Sequence, residues 1–477
     1  MVFKNKLYIG GKWQEASDGG DFEVLNPADE SVLTRVSSGT IADAEACVNA
    51  AQEAFAGWAS LSPRERGEIL RKAYDIFMSK IDEIAHLITL ENGKAGSDAM
   101  GEARYAAEFF RWYAEEAVRS DGHLGMAPAT GARILVHQKP AGISVLVTPW
   151  NYPAAMGTRK IGPALAAGCP VIVKPASETP LTMLALMPIL EEAGVPPGVV
   201  NVLPSRSSGA VVSKMLSDPR VRVVSFTGST EVGRKLLHAA ADNVVKPAME
   251  LGGNAPFIVC KDANIEAAAD GLMVAKMRNL GEACTAANRI YVHESVEKEF
   301  VSAFSKKMAA LKVGNGTEKA VDVGPLVNAE TRDKVDYFVQ DAIAKGAKLE
   351  VGGIRPDGPG FFYPPTVLSN VSDDAECLAD EIFGPVAAIQ TFLDEDEIIE
   401  RSNSTEYGLV AYLYTEDVRK GLRLSEKLEF GMIGLNRGLV SDPAAPFGGV
   451  KQSGLGREGG KEGLLEFQET QYISTEW

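Results

Sequence analysis

Cys284 and Glu250 have the side chains and the surroundings of residues that could take part in chemistry. A cysteine thiolate is a nucleophile, and the small residues around Cys284 in GEACTAANR leave room for a substrate beside its sulfur. Glu250 begins ELGGNAP, in which two glycines allow a sharp backbone turn and the close approach of another group. By itself Glu250 would be a solvated loop acid. The small and polar residues around Cys284 make it a poor anchor for a hydrophobic core.

The other cysteines and the histidines indicate no second reactive site. The five cysteines are widely spaced and form no C-x-x-C pair, which argues against a disulfide framework and a zinc site. The five histidines include no two at metal-ligand spacing, so few residues are available for a histidine-based mechanism. We predict no metal. The remaining cysteines are interpreted as small buried hydrophobic residues: Cys47, Cys169, Cys260 and Cys377.

Three further segments lie at the ends of predicted strands, where ligands bind in parallel α/β sheets. Asn151, in TPWNYP, is an amide held between prolines and aromatic residues, although a self-capping turn explains it equally well. Residues 225–233 (SFTGSTEVG) lead into a helix whose free N–H groups would suit a pyrophosphate. This segment lacks the G-x-G-x-x-G fingerprint, so alone it is a weak signal. Lys174 ends another strand, where it could hold a ribose or a phosphate.

Beyond residue 140 the sequence alternates short apolar strands with helices, which is typical of parallel sheets covered on both faces. The first series of predicted strands is 143–148, 170–174, 199–203, 221–226 and 256–260. The second series is 289–293, 387–392, 409–414 and 431–435. Two series predict two α/β domains. The extended segments 132–139 and 466–475 belong to neither series, and we interpret them as arms that pair with another subunit.

Composition and charge limit the partners of the protein. Of the 477 residues, 45% are apolar and 23% are charged, as in ordinary globular proteins. No apolar run is long enough to span a membrane, and the N-terminal residues contain no apolar signal-peptide core. The net charge of −16 argues against nucleic acids and anionic membranes as partners. We therefore predict a cytoplasmic protein of the size of an enzyme.

Seven ordered motifs make the chain resemble the aldehyde dehydrogenase superfamily over nearly its whole length: TPWNYP, VIVKPAS, FTGSTEVG, MELGGNAP, GEACTAANR, EIFGPV and PFGGVKQSGLGRE. The resemblance implies an α/β fold with two parallel-sheet α/β domains plus a β oligomerisation arm. It assigns residues 1–120 and 140–249 to a dinucleotide-binding domain and residues 250–440 to a catalytic domain. Residues 121–139 and 460–477 would form the arm of a homodimer or homotetramer.

The resemblance also implies a covalent mechanism. Cys284 matches the nucleophile, whose thiolate adds to an aldehyde carbon and becomes a thioester after hydride transfer to the cofactor. Asn151 and the backbone N–H of Cys284 would stabilise the oxyanion, and Glu250 would be the general base. Lys160 matches an active-site lysine, and Glu458 matches a second acid that would relay protons.

The same motifs imply an NAD(P) site. The residues expected to contact the cofactor are Trp150, Lys174, Ser177, Gly228, Ser229, Val232, Leu251, Glu381 and Phe383. In NAD-preferring members a glutamate three residues after the strand-end lysine binds the adenosine ribose, and here that position is Ser177. Serine does not repel a 2′-phosphate by like charge, which favours NADP, with Arg206 as a cationic partner. Glu178 would act against this preference, and NAD is the alternative cofactor.

Within the family, the motifs look most like those of members that oxidise succinate semialdehyde. Arg159, Arg278 and Ser441 match the residues that hold the far carboxylate of that substrate, although Arg159 could instead form a structural ion pair. The chain departs from many members at Glu282, where they have glutamine. One alternative is an aromatic aldehyde dehydrogenase that differs only in its substrate tunnel. The other is a structural or binding protein that lost its activity, and the intact catalytic residues argue against it.

Overall fold

The computed structural model describes residues 3–477, and its regular structure is organised around two large β-sheets. In chain order the strands are β1 (Leu7–Ile9), β2 (Lys12–Gln14), β3 (Asp21–Leu25), β4 (Val32–Ser37), β5 (His123–Met126), β6 (Arg133–Pro140), β7 (Ile143–Val147), β8 (Val171–Lys174), β9 (Val200–Val202), β10 (Val221–Thr227), β11 (Lys246–Glu250), β12 (Ala255–Val259), β13 (Ala287–His293), β14 (Lys348–Val351), β15 (Thr366–Ser369), β16 (Val386–Phe392), β17 (Val410–Tyr414), β18 (Met432–Leu435), β19 (Gly454–Leu455) and β20 (Gln468–Thr475). The helices are α1 (Ile41–Ser60), α2 (Pro63–Ser79), α3 (Ile81–Asn92), α4 (Gly96–Glu116), α5 (Ala155–Ala167), α6 (Pro180–Ala193), α7 (Ser208–Leu216), α8 (Thr230–Ala241), α9 (Ile265–Met277), α10 (Glu297–Ala309), α11 (Ala329–Ala344), α12 (Glu376–Ala379), α13 (Glu395–Asn403), α14 (Val418–Lys427) and α15 (Glu462–Leu465).

The first large sheet has the strand order β19-β11-β10-β7-β8-β9-β1-β2. Its strands from β11 to β9 are parallel, and antiparallel strands extend both edges. Side chains alternate between the two faces of each strand. Accordingly Val145 belongs to one hydrophobic cluster and its neighbour Leu146 to the other. The continuous apolar runs of the sequence therefore arise because helices cover both faces of the sheet.

The second large sheet has the order β14-β15-β16-β13-β12-β17-β18. It is parallel from β15 to β18, and β14 is an antiparallel edge strand. Here too, buried side chains on opposite faces contribute to separate clusters, as Phe257 and Ile258 of β12 show. Two sheets of mainly parallel strands confirm the predicted α/β class.

The two extended segments pair with each other in a third sheet of order β20-β6-β5. The pairing of β20 and β6 runs from Gln468 opposite Pro140 to Thr475 opposite Arg133. Both strands were expected to pair with another subunit, but within this chain their backbone groups bond to one another. The role of this sheet in oligomerisation remains a prediction.

Glu250 lies at the end of a strand, which differs from the sequence-based expectation of a loop acid. It is the last residue of β11, between β10 and the short strand β19. Proline and lysine in β11 (KPAME) obscured the strand pattern. Since β19 comes from residues 454–455, the first sheet also includes part of the chain beyond the predicted dinucleotide-binding segment. The division into domains remains a prediction.

A buried ion pair fastens the segment after β7 to helix α4. Lys94 Nζ donates to Glu102 Oε2 at 2.5 Å and to the backbone oxygen of Asn151 at 2.7 Å. The other oxygen of Glu102 accepts from Ala154 N at 2.8 Å. Both charged side chains are fully buried.

Among residues 3–477, no helix is long and apolar enough to cross a membrane.

Lys94→Met should destabilise the protein because it leaves Glu102 as a buried charge without its partner. The expected loss is about 3–5 kcal/mol in the free energy of unfolding, measured by urea denaturation at neutral pH. The double variant Lys94→Met/Glu102→Gln removes the stranded charge and keeps an acceptor for Ala154 N, so its loss should be smaller. Equal losses in both variants would mean that packing, and not charge, explains the effect.

Candidate active site

The predicted site residues meet between the two large sheets. A cavity of about 390 Å³ is lined by residues that follow β7, β10 and β11 in the first sheet and by residues that precede β13 and β16 in the second. The carboxyl ends of one sheet thus lie across from the amino ends of the other. Eleven of the predicted site residues line this cavity: Trp150, Asn151, Arg159, Gly228, Ser229, Leu251, Arg278, Cys284, Glu381, Phe383 and Ser441.

The turn before Cys284 has an unusual backbone. Asn279, Leu280 and Gly281 have φ angles of 54°, 57° and 77°, all in the left-handed region. For residues other than glycine this conformation costs roughly 1–2 kcal/mol each. Asn279 compensates by its hydrogen bonds: its Nδ2 donates to the carbonyl oxygens of Asn151 and Glu282 at 3.1 and 2.9 Å. The strained turn is therefore held in place by polar groups of both sheets.

Gly253 is one of the two glycines that follow Glu250, and its surroundings show why a glycine is needed there. A Cβ atom at this position would clash with the carbonyl oxygen of Cys284. The segment after β11 and the segment before β13 therefore pass each other in direct backbone contact. Gly253 N also donates to Glu381 Oε1 at 3.4 Å, which brings a third segment to the same point.

Asn151 has the position expected of an oxyanion donor. Its Nδ2 donates one hydrogen to the carbonyl oxygen of Glu282 at 2.9 Å, and the residue lines the cavity beside Cys284. An amide nitrogen carries two hydrogens, so the second is available to an oxygen in the cavity. Burial raises the pKa of the Cys284 thiol to about 12, and the nearby Glu381 adds to this, while Arg159 acts in the opposite direction.

Glu250 does not line the main cavity but is buried directly behind it. A Cβ atom on Gly448 would lie 2.8 Å from Glu250 Oε1, so this glycine allows the backbone to pack against the carboxyl group. Burial raises the pKa of Glu250 well above its usual value, and the charge of Glu458 raises it further. A carboxyl group of this kind is suited to taking up and releasing a proton.

Three buried charged residues form a cluster next to Glu250. Arg159 and Lys160 both pair with Glu458, and Lys160 Nζ also donates to Ser225 Oγ at 2.9 Å. Burial alone would raise the pKa of Glu458, but the two cations outweigh it and hold that pKa below its usual value. Lys160 therefore lies behind the cavity, in contact with the acid that sequence reasoning linked to proton relay.

The cofactor residues that line the cavity fit a nucleotide. Trp150 and Phe383 meet edge to face with ring centroids 5.3 Å apart, and Phe383 is held at a φ of 55°. Thr227 Oγ1 is buried on the cavity wall without a hydrogen-bond partner among residues 3–477. Ser229 caps α8, whose N-terminus lies beside this hydroxyl. Burial raises the pKa of Glu381 to about 7.

Three predicted cofactor residues lie outside the main cavity: Lys174, Ser177 and Val232. Lys174 ends β8 and is largely buried, which lowers its pKa to about 8. Ser177 Oγ donates to Glu178 at 3.3 Å. Arg206, expected as a cationic partner, instead has its guanidinium 5.5 Å from the ring centre of Phe22.

The three residues predicted to bind a carboxylate reach the same cavity. Arg278 Nε donates to the hydroxyl of Tyr152 at 3.0 Å. Arg159 lies over the ring of Phe447 at 3.8 Å, and its Nη2 is buried without a hydrogen-bond partner in the described chain. The ion pair suspected for Arg159 does exist, but it leaves this nitrogen free. Ser441 lines both this cavity and a neighbouring one of about 230 Å³.

Sequence reasoning missed several residues of the cavity wall. Thr227 and Phe447 were within the recognised motifs FTGSTEVG and PFGGVKQSGLGRE but were assigned no role. Tyr105 of α4 and Lys334 of α11 belong to no motif, and only the fold brings them to the site.

In the described part of the chain, no group of three or more metal-binding side chains comes together.

Glu282, the departure from the family pattern, is fully buried beside the nucleophile loop. Its Oε1 accepts from Val327 N at 3.1 Å, whereas its Oε2 is buried without a partner in the described residues. Burial raises its pKa from the ordinary 4.5 to about 8. At neutral pH this side chain is therefore mainly a neutral acid, which resembles an amide in charge.

The chain is similar to known proteins over nearly its whole length. The family model described as the aldehyde dehydrogenase family matches residues 13–473. The chain is 50% identical to the succinate-semialdehyde dehydrogenase of Paenarthrobacter nicotinovorans, over 93% of this chain and 98% of that relative. It is 42% identical to the succinate-semialdehyde dehydrogenase GabD of Escherichia coli (strain K12), whose name specifies NADP(+), over 99% and 98%. The crystal structure of succinate-semialdehyde dehydrogenase from Burkholderia pseudomallei matches with a TM-score of 0.97 at 45% identity, covering 99% of this chain and 98% of that one.

The fold and the site define an oxidoreductase that acts on aldehydes. The chain belongs to the aldehyde dehydrogenase family, which confirms the resemblance and the fold class predicted from the motifs.

Glu282→Gln should raise the melting temperature by a few degrees at pH 8. In the unfolded chain this carboxyl ionises near pH 4.5, but in the folded protein only near pH 8. The stability that the neutral carboxyl provides is thus complete below about pH 4.5 and is lost as the pH rises toward 8. An amide does not ionise, so the advantage of the variant should grow between pH 5 and pH 8 in thermal melts.

Glu91→Gln is the matched control. Glu91 is also buried with a pKa of about 8, but its two oxygens accept from Thr182 N and Leu181 N at the start of α6. An amide keeps only one acceptor, so this variant should melt at a lower temperature. A constant advantage of Glu282→Gln at every pH would refute the proposed neutral state of Glu282.

Proposed function

We propose that the protein oxidises succinate semialdehyde to succinate with NADP. The observation that carries this proposal is the presence of two guanidinium groups, Arg159 and Arg278, in the same cavity as Cys284. In a protein with a net charge of −16, such a pocket is suited to a substrate that is itself an anion. The names of the relatives from Paenarthrobacter nicotinovorans and Escherichia coli support the same substrate.

The first half of the reaction depends on Cys284 and Asn151. The Cys284 thiolate adds to the aldehyde carbon, and the oxygen that becomes negative accepts hydrogen bonds from Asn151 Nδ2 and from Cys284 N. The bound nicotinamide would supply the acceptor for the hydride, so that the sulfur ends as a thioester. Since burial keeps the Cys284 thiol protonated in the empty cavity, a base must remove its proton before attack.

The second half of the reaction requires a water molecule to release the acid. Glu250 is the base we assign to this step, because its buried carboxyl lies directly behind the cavity and its raised pKa makes it a stronger base than an exposed carboxylate. Glu458, held ionised by Arg159 and Lys160, lies behind Glu250 and favours its protonated form. We propose that these buried groups carry the proton away from the cavity.

The carboxylate end of the substrate distinguishes this function from the alternatives. An aromatic aldehyde has no charge for Arg159 and Arg278 to bind, whereas a carboxylate can accept from the free nitrogen of Arg159 and from Arg278. A structural protein that lost its activity would have no use for Cys284, Asn151 and Glu250 around one cavity.

We also propose that the chain forms a homodimer or homotetramer through the sheet of β5, β6 and β20. Its cytoplasmic location remains a prediction.

Arg278→Ala should raise the Michaelis constant for succinate semialdehyde roughly ten- to a hundredfold, as expected when a hydrogen bond to a charged group is lost. Butanal, which has a methyl group in place of the carboxylate, should be affected far less in steady-state assays. Cys284→Ala should be inactive with both aldehydes. If Arg278→Ala impairs both equally, Arg278 is structural, and a wild type that prefers benzaldehyde would favour the aromatic alternative.

Ser177→Glu should reverse the cofactor preference by placing a carboxylate next to the 2′-phosphate of NADP. Like charges at short range repel, so the ratio of kcat/KM for NADP over NAD should fall by about tenfold or more, a barrier change of roughly 1.4 kcal/mol. Ser177→Ala, which loses only a donor, is the control and should change the ratio less. A wild type with a strong preference for NAD would refute the proposal.

A further inference from the structure

Tyr105, which no motif includes, lies on α4 where two cavities meet. It lines the main cavity and the neighbouring cavity of about 230 Å³, together with Tyr152, Arg278 and Ser441. The two cavities thus share one wall, at the end of the site where the substrate carboxylate is proposed to bind. The Tyr105 side chain is part of that wall.

The hydroxyl of Tyr105 is buried and makes no well-aligned hydrogen bond among residues 3–477. Arg159 is close enough to donate to its oxygen, so it is the hydroxyl hydrogen that lacks an acceptor. Buried hydroxyl groups in folded proteins nearly always have a partner, because an unpaired one costs free energy. An unpaired donor at a cavity wall therefore indicates a group that enters the cavity. Arg159, which lines the main cavity but not the smaller one, has a buried nitrogen, Nη2, that also makes no well-aligned hydrogen bond in the described chain.

The charges around Tyr105 indicate which chemical group would form a hydrogen bond with its hydroxyl. Arg159 and Arg278 both favour negative charge at its hydroxyl, which opposes the effect of burial on its pKa. A hydroxyl and a guanidinium are both donors, so an acceptor with two oxygens can pair with both. Two carboxyl groups, Asp98 and Glu102, line the smaller cavity and would disfavour an anion that moved into it. A carboxylate is therefore favoured where the two cavities meet.

We propose that Tyr105 is a specificity-determining residue whose hydroxyl donates a hydrogen bond to the far carboxylate of the aldehyde substrate, next to Arg159 and Arg278. The assignment rests on the proposed function, since it requires a substrate with a second, anionic end. It adds a neutral donor to the two cations and the serine.

Tyr113 provides a matched control on the same helix. It lies two turns beyond Tyr105, its hydroxyl is likewise buried and unpaired in the described chain, and it lines neither cavity. It packs against Gly463, where a Cβ atom would clash with the hydroxyl. Removing this hydroxyl tests the general effect of losing a buried tyrosine oxygen in α4.

The experiment compares Tyr105→Phe and Tyr113→Phe with the wild type, using succinate semialdehyde and butanal. Tyr105→Phe should lower kcat/KM for succinate semialdehyde by about tenfold to a hundredfold, mainly through KM, as for a lost hydrogen bond to a charged group. Its effect on butanal should be far smaller, and Tyr113→Phe should resemble the wild type with both aldehydes. Because the hydroxyl hydrogen has no acceptor in the described chain, Tyr105→Phe should leave the melting temperature nearly unchanged.

The outcomes separate the two proposals. A wild type that prefers succinate semialdehyde, combined with a Tyr105→Phe variant that is equally active or equally impaired with both aldehydes, overturns the role of Tyr105 alone. A wild type that does not discriminate between the two aldehydes overturns the proposed function and the role of Tyr105 with it. A clear drop in the melting temperature of Tyr105→Phe would mean that the hydroxyl supports the fold, which also contradicts the inference.

Discussion

The hydrogen bond from Asn151 Nδ2 to the carbonyl oxygen of Glu282 joins the two large sheets at the point where the chemistry takes place. One partner follows β7 of the first sheet, and the other precedes β13 of the second. The backbone oxygen of Asn151 is fixed in turn by Lys94 and by Asn279. Asn151, the proposed oxyanion donor, and the strained turn before Cys284 therefore share one network, and neither can move without breaking bonds to the other sheet.

Burial of charge is the second constraint on the site. The cavity wall and the layer behind it hold several ionisable groups that water cannot reach, and their pKa values move apart in consequence. Glu458 is held ionised by Arg159 and Lys160, whereas Glu250 beside it is pushed toward its neutral form. The pKa values of two similar carboxyl groups are thus shifted in opposite directions because their neighbours differ, and such divergence is typical of acid and base pairs in active sites.

Local patterns in the sequence predicted the parallel strands, and together with the family motifs they predicted eleven of the 23 residues that line the cavity. Apolar runs identified β7, β8 and β10, and the rule that ligands bind at strand ends pointed to Asn151 and residues 225–233. The strand that carries Glu250 was missed because proline and lysine interrupt it, and its edge is covered by residues from far along the chain. Tyr105 could not be found, since a helical tyrosine looks the same whether it faces a core or a cavity. The charge state of Glu282 likewise depends on burial, which only the fold determines.

The pairing of β19 with β11 and of Glu458 with Lys160 has a consequence for the order of assembly. Glu458 is synthesised 298 residues after Lys160, so a growing chain can form much of the first sheet while two of its interior cations still have no counter-ion. Contacts between such distant residues form late in folding. The cavity and the buried charges behind it therefore acquire their final electrostatic environment only when the C-terminal segment has docked.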